Sequence, residues 1–144
     1  MIFMSKVAVV YWSGTGNTEA MAAAVCNGAQ DKGAEASLFT ASEFDASMMD
    51  GFDAIAFGCP SMGAEQLEET EFEPMFSACE GRLKDKKIGL FGSYGWGDGE
   101  WMRTWEENCR SLGAVIVYHC VICNEAPDQQ ALEDCAALGS ALAH

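Results

Sequence analysis

Three short stretches of this 144-residue chain carry the side chains best suited to holding a ligand. The first reads Ser13-Gly14-Thr15-Gly16-Asn17-Thr18. Its two glycines let the backbone turn tightly and aim N–H groups inward, and its hydroxyls and amide add donors. A helix beginning behind them would contribute the positive end of its dipole. A phosphate monoester can be held this way by neutral donors alone; an ordinary Gly/Ser/Thr turn is the other reading. Several phosphate devices are excluded. A Walker loop needs Gly-Lys-Ser/Thr, and this loop has no lysine. A dinucleotide fingerprint needs a third glycine and an acid ending the second strand, where Ser37-Leu38-Phe39-Thr40 stands. A phosphoacceptor domain needs carboxylates where Tyr11-Trp12-Ser13 and Gly58-Cys59-Pro60 lie, and a cysteine phosphatase needs Cys and Arg in the turn.

The second stretch is Gly58-Cys59-Pro60-Ser61-Met62-Gly63-Ala64-Glu65, and the third is Gly92-Ser93-Tyr94-Gly95-Trp96-Gly97-Asp98-Gly99. Each sets one large side chain, Met62 or Trp96, on backbone rich in small residues. Trp96 has a glycine on each side, so no adjacent side chain packs it inward. An aromatic face stacked on a flat heterocycle adds roughly 0.5–1.5 kcal/mol beyond burial. The competing reading is a tryptophan that closes the end of the core. Trp101 and Trp105, four apart, suit the core of a helix, and Trp12 suits either reading. No catalytic acid, base or nucleophile stands out.

These stretches need a scaffold. Apolar runs at 6–12, 35–40, 54–58, 87–92 and 115–118 read as buried strands. Helical spacing lies between them. The first helix would turn Ala20, Met21, Ala24, Val25 and Gly28 to one face. A weak second helix is expected within 42–50 and a third over 72–79. The fourth would carry Trp101, Met102, Trp105, Cys109 and Leu112, with Asp98 as cap and Gly113 as stop. The last would span 128–143, with Leu132, Cys135, Ala136 and Leu142 inward. Such alternation predicts an α/β fold with a parallel sheet covered on both faces, and ligands at the carboxyl ends of its strands. The chain is expected to form a single domain, residues 1–144.

Composition narrows function further. Twenty-two acidic residues against eight basic ones give a net charge of −14, which repels phosphate backbones and anionic lipid, so neither nucleic acid nor membrane is an expected partner. Residues 33–81 hold eleven Asp or Glu and no Lys or Arg, which predicts a one-signed face suited to a basic protein partner. The longest apolar run, 20–26, is seven residues, far short of the roughly 20 needed to span a bilayer. The first residues lack the pattern of an export signal. Seven scattered cysteines suit a reducing cytoplasm. Cys120-x-x-Cys123 falls inside a strand pattern, where side chains three apart face opposite ways, so packing is expected there and not redox or zinc chemistry.

Taken together at these spacings, 13–18, 59–65 and 93–101 resemble a flavodoxin of the short-chain type, with further likeness at Asn124-Glu125 and Pro127-Asp128. The resemblance covers nearly the whole chain. It implies a flavodoxin-like five-stranded parallel sheet of order 2-1-3-4-5 with helices on both faces, and one non-covalent FMN at its carboxyl edge. By that resemblance Ser13, Thr15, Asn17 and Thr18, with the backbone of Gly14 and Gly16, hold the FMN phosphate. Pro60, Ser61, Met62, Gly63, Ala64 and Glu65 form the inner loop, in which Met62 covers the ring, the Gly63 carbonyl faces N5 and Glu65 reaches the N3 edge. Ser93, Tyr94, Gly95, Trp96 and Gly97 form the outer loop, with Trp96 as the outer cover.

The implied function is a low-potential one-electron carrier, a redox partner of enzymes and not itself an enzyme. It would cycle mainly between semiquinone and hydroquinone. It would be a cytoplasmic monomer that docks by an acidic rim on basic-faced reductases and low-potential oxidoreductases. The alternatives are an FMN-dependent quinone or small-molecule reductase, or a flavin-binding redox-signalling module. A peptide flip at Gly63–Ala64 would need positive φ at Ala64, which costs alanine roughly 1 kcal/mol. Ala64→Gly is therefore expected to raise the first reduction potential; an unchanged or lowered potential in a redox titration would refute the flip.

Overall fold

The computed structural model describes residues 5–62, 66–95 and 97–143. An interior strand of its sheet is β1 (Lys6–Tyr11), with both faces covered, so that Val7, Ala8, Val9 and Val10 are fully buried. Parallel to β1 run β2 (Glu35–Thr40) on one side and β3 (Ala54–Gly58) on the other. In register, Val9 lies opposite Leu38 and Ala56. Next comes β4 (Lys87–Tyr94), then β5 (Val115–Ile116) and β6 (Val121–Asn124), both parallel to β4. The strand order is β2-β1-β3-β4-β5, with β6 also on β4, so a flavodoxin-like α/β sheet is present as expected. Its fifth strand is interrupted. The expected run 115–118 pairs only at its start, and pairing resumes at Val121.

Strand alternation sorts the core into two layers. Ala8, Val10, Ile55, Phe57, Ile88 and Leu90 face α2 (Phe72–Cys79) and α3 (Glu100–Ser111). Val7, Val9, Tyr11, Ala54, Ala56 and Phe91 face α1 (Asn17–Asp31) and α4 (Gln129–Leu142). The buried face of α1 is Thr18, Met21, Ala22, Val25, Cys26, Gly28 and Ala29; Ala20 points outward, contrary to expectation. On α4 the inward set includes Leu138 and Gly139, while Leu132 is only half-buried. The helices α1 and α4 touch backbone to backbone. A Cβ on Gly28 would lie 2.1 Å from the Ala136 carbonyl oxygen, and one on Gly139 would lie 1.9 Å from that of Val25.

Two further expectations are corrected. No α-helix forms within 42–50. Two 3-10 segments, Ala41–Glu43 and Ala46–Gly51, stand there instead. Polar side chains bind nearby amides in both: Glu43 accepts from the Thr40 N–H, and Asp45 from the Ser47 N–H. Such local bonds compete with a continuous helix. Nor does Asp98 cap α3. Gly99 holds the N-cap position, and the Asp98 carboxylate pairs with Arg103 at 2.9 Å. Trp101, Met102, Trp105 and Cys109 are buried as the helical spacing predicts. Cys120 and Cys123 pack into opposite layers, so the pair does fall on two faces of the sheet.

Candidate functional site

The chain reverses direction across the sheet between β1 and β3, because β2 lies to one side of β1 and β3 to the other. Crevices form at such switch points, at the carboxyl ends of the strands. A cleft of about 530 Å³ opens there. From the turn after β1 come Trp12, Gly14, Thr15 and Asn17; from the loop after β3 come Pro60, Ser61 and Met62. Ser93, Tyr94 and Gly95 close the far wall, and Glu125 and Ala126 close the end beyond β6.

The first turn is shaped by its own donors. Gly16 adopts φ 95°, a left-handed conformation that a side chain disfavours, and it is the N-cap of α1. The Ser13 hydroxyl accepts from the Gly16 N–H at 3.0 Å, which leaves its own proton to donate elsewhere. The first amides of α1 have no intrahelical acceptor, so they offer donors on the positive end of the helix dipole. Behind the turn, the Thr18 and Ser93 hydroxyls meet at 3.2 Å, both buried. One proton joins the two oxygens and the other remains for a third acceptor.

The other walls are tied to each other through backbone bonds. Ser61 N–H donates to the Ser93 carbonyl at 3.0 Å, and Glu125 N–H to the Tyr94 carbonyl at 2.7 Å. Glu125 takes φ 59°, unusual for a residue with a side chain. The Met62 and Gln66 backbones exchange two hydrogen bonds, 2.8 and 2.9 Å, across 63–65. Trp101 Nε1 donates to the Cys59 carbonyl at 3.2 Å, fixing the loop from the core side.

Cys59 is fully buried; burial pushes its thiol up to about 12, and its sulfur accepts from the Glu68 N–H. Glu68 in turn steers α2. Burial opposes its ionisation, but the Thr70 hydroxyl and the amides of Phe72, Glu71 and Thr70 outweigh that and hold the carboxyl down at about 2. The amide bonds measure 2.8–2.9 Å.

No lysine or arginine lines the cleft among the described residues. Basic residues lie elsewhere. Lys6 and Lys87 open β1 and β4, Lys32 follows α1, Arg82, Lys84 and Lys86 lead into β4, and Arg110 sits in the last turn of α3. All seven belong to the amino-terminal edge of the sheet; of the eight, only Arg103 is at the other edge, and Asp98 pairs with it. The carboxyl edge carries Glu19, Glu43, Glu69, Glu71, Glu73, Glu100, Glu125 and Asp128. The acidic run 33–81 therefore does not make one face. Glu35 and Asp50 pair with Lys6 and Arg82, and Asp53 accepts from the Lys6 N–H, all at the amino edge.

Of the expected site residues, Gly14, Thr15, Asn17, Pro60, Ser61, Met62, Ser93, Tyr94 and Gly95 line one cleft. Ser13, Gly16 and Thr18 support the first turn from behind. Gly97 is not on the lining. Gly63, Ala64, Glu65 and Trp96 lie outside the described residues. Trp12, which suited either reading, lines the cleft too, and Glu125 and Ala126 join it without having been expected. A signal for the last two existed: they follow the last strand at the same edge as the other three loops.

The family model for flavodoxin matches residues 9–139. The chain is 42% identical to a flavodoxin of Megasphaera elsdenii over 137 residues, covering 95% of this chain and 98% of that one. It is 41% identical to a flavodoxin of Clostridium beijerinckii, covering 94% and 98%. The solution structure of the two-electron reduced Megasphaera elsdenii flavodoxin superposes with a TM-score of 0.87 at 43% identity, covering 95% of this chain and 98% of that one. With full-length likeness in sequence and fold, and the cleft where the sheet topology demands one, the chain belongs to the flavodoxins, FMN-binding electron carriers and not enzymes in their own right.

Proposed function

We propose that the cleft at the carboxyl edge is where this carrier holds its FMN, and that the whole chain, 1–144, serves as one FMN-binding domain. The cleft's size lies within the range usual for small-molecule sites, about 300–1,000 Å³. Its lining fits a phosphorylated flat ring: neutral donors at the first turn, and the large side chains of Trp12, Pro60, Met62 and Tyr94 along the walls. The phosphate falls to Ser13, Thr15, Asn17 and Thr18 with the amides of Gly14 and Gly16. Met62 and Trp96 cover the two faces of the ring. Pro60, Ser61, Gly63, Ala64 and Glu65 line its inner and N3 sides, and Ser93, Tyr94 and Gly95 the opposite end.

Bound FMN supplies a ring that takes up electrons one at a time. The protein's residues set how costly each electron is. Neutral donors leave the phosphate charge uncompensated, carboxylates at the same edge add to the negative potential, and the two covers exclude the water that would solvate added charge. All three push the second electron toward low potential. The observation that carries this reading is the segregation of charge: a cleft lined by no lysine or arginine among the described residues, at the acidic edge of the sheet, with seven of eight basic residues at the other edge.

The same asymmetry suits transient docking, cleft first, on basic patches of reductases and low-potential oxidoreductases, with association weakening as salt rises. We assign it to the cytoplasm as a monomer; seven free cysteines, five of them buried, suit a reducing compartment. Among the described residues no helix is long and apolar enough to cross a membrane. FMN titration of apoprotein, followed by loss of flavin fluorescence, tests the site. Trp96→Ala is expected to weaken binding about tenfold or more through lost stacking and burial; binding as tight as in the unmodified protein would remove Trp96 from the site.

A further inference from the structure

Trp12 is a partition. It lines the 530 Å³ cleft on one side and, on the other, a recess of about 290 Å³ that also touches Glu71. A side chain with open space on two sides is not oriented by packing alone. One directional contact remains: Trp12 Nε1 donates to the Glu71 Oε1 at 3.0 Å. Glu71 is itself held. Its N–H donates to the Glu68 carboxylate at 2.8 Å, and the Glu68 N–H reaches the buried Cys59 sulfur. A chain of contacts thus runs from the core through Glu68 and Glu71 to the wall of the cleft.

Resting on the proposed FMN site, we infer that Glu71 is a positioning residue for the cofactor: its carboxylate holds the Trp12 indole upright as the wall between the first turn and the recess. The indole packs under the turn, where a Cβ on Gly14 would lie 3.1 Å from Trp12 Cη2. A rotated indole would therefore disturb the same turn that offers the phosphate donors.

The experiment is a double-mutant cycle read by FMN affinity of apoprotein. Glu71→Leu is expected to weaken binding about tenfold, as loss of a hydrogen bond to a charged group allows. Glu71→Gln, which keeps an acceptor, should restore affinity to within about threefold. Trp12→Phe, lacking the N–H, should lose as much as Glu71→Leu, and the double variant should lose no more than Trp12→Phe alone. Unchanged affinity in Glu71→Leu, failure of glutamine to rescue, or additive losses would overturn the inference. Thr15→Val is measured alongside. If it leaves affinity unchanged while the cycle behaves as stated, the phosphate assignment fails and the Glu71 inference survives; if both are silent, FMN binds elsewhere and both fall.

Discussion

Gly28→Ala is expected to destabilise the protein by about 3 kcal/mol and lower Tm by roughly 6–12 °C. Helix propensity alone predicts the opposite sign, because alanine is favoured over glycine inside a helix by about 1 kcal/mol. Close approach decides it. The added Cβ would stand 2.1 Å from the Ala136 carbonyl oxygen and 2.6 Å from its Cα, and backbone cannot rotate out of the way as a side chain can. The helices α1 and α4 must separate, which opens the layer built on Val25, Ala29, Cys135 and Leu138. Gly81→Ala is the control. Nothing lies within 4 Å of its Cβ position, so its stability should stay within about 0.5 kcal/mol of the unmodified protein. Denaturant melts of the two variants check the claim, and equal midpoints would contradict the packing.

Glu68→Gln is expected to cost about 2–3 kcal/mol at neutral pH. Only the ionised carboxylate fully satisfies three amides and a hydroxyl at the start of α2, and this lowers its pKa from an ordinary 4.5 to about 2. A fall of this size corresponds to about 3 kcal/mol. The sign follows from the direction: a depressed pKa contributes stability that is whole above about 4.5 and is lost as pH falls through about 2. Melts from pH 7 to pH 2 should therefore show the gap between the unmodified protein and Glu68→Gln narrowing toward zero. A gap independent of pH would mean that the carboxylate's charge contributes nothing. Because Glu68 also holds the Glu71 backbone, the variant should lose some FMN affinity as well.

Long apolar runs and the helical spacing of Trp101, Met102, Trp105 and Cys109 made most of the fold legible in the sequence. So did the three loops, nine of whose residues meet in one cleft. What failed to show has physical causes. The segment after β2 is apolar at Phe44 and Met49, but Thr40, Glu43 and Asp45 turn their side chains onto nearby amides and stop each helical turn early. The acidic run 33–81 looked like one face because spacing along the chain does not say which edge of a sheet a residue occupies. Crossing β3 sends Asp50 and Asp53 to the opposite edge from Glu71 and Glu73. Glu68 looked like another surface acid; its role depends on four donors arranged only when the loop meets α2. Trp12 could be read as core or site because the chain alone does not reveal a cleft on one side and a recess on the other.

A cation-free cleft at the acidic edge should make added electrons costly. Anaerobic spectroelectrochemical titration of the FMN-loaded protein, beside free FMN in the same buffer, reads that cost as a potential. The second reduction step should lie below that of free FMN by tens to about a hundred millivolts, and the offset should shrink as salt is added. Two midpoints equal to those of free FMN would contradict the claim.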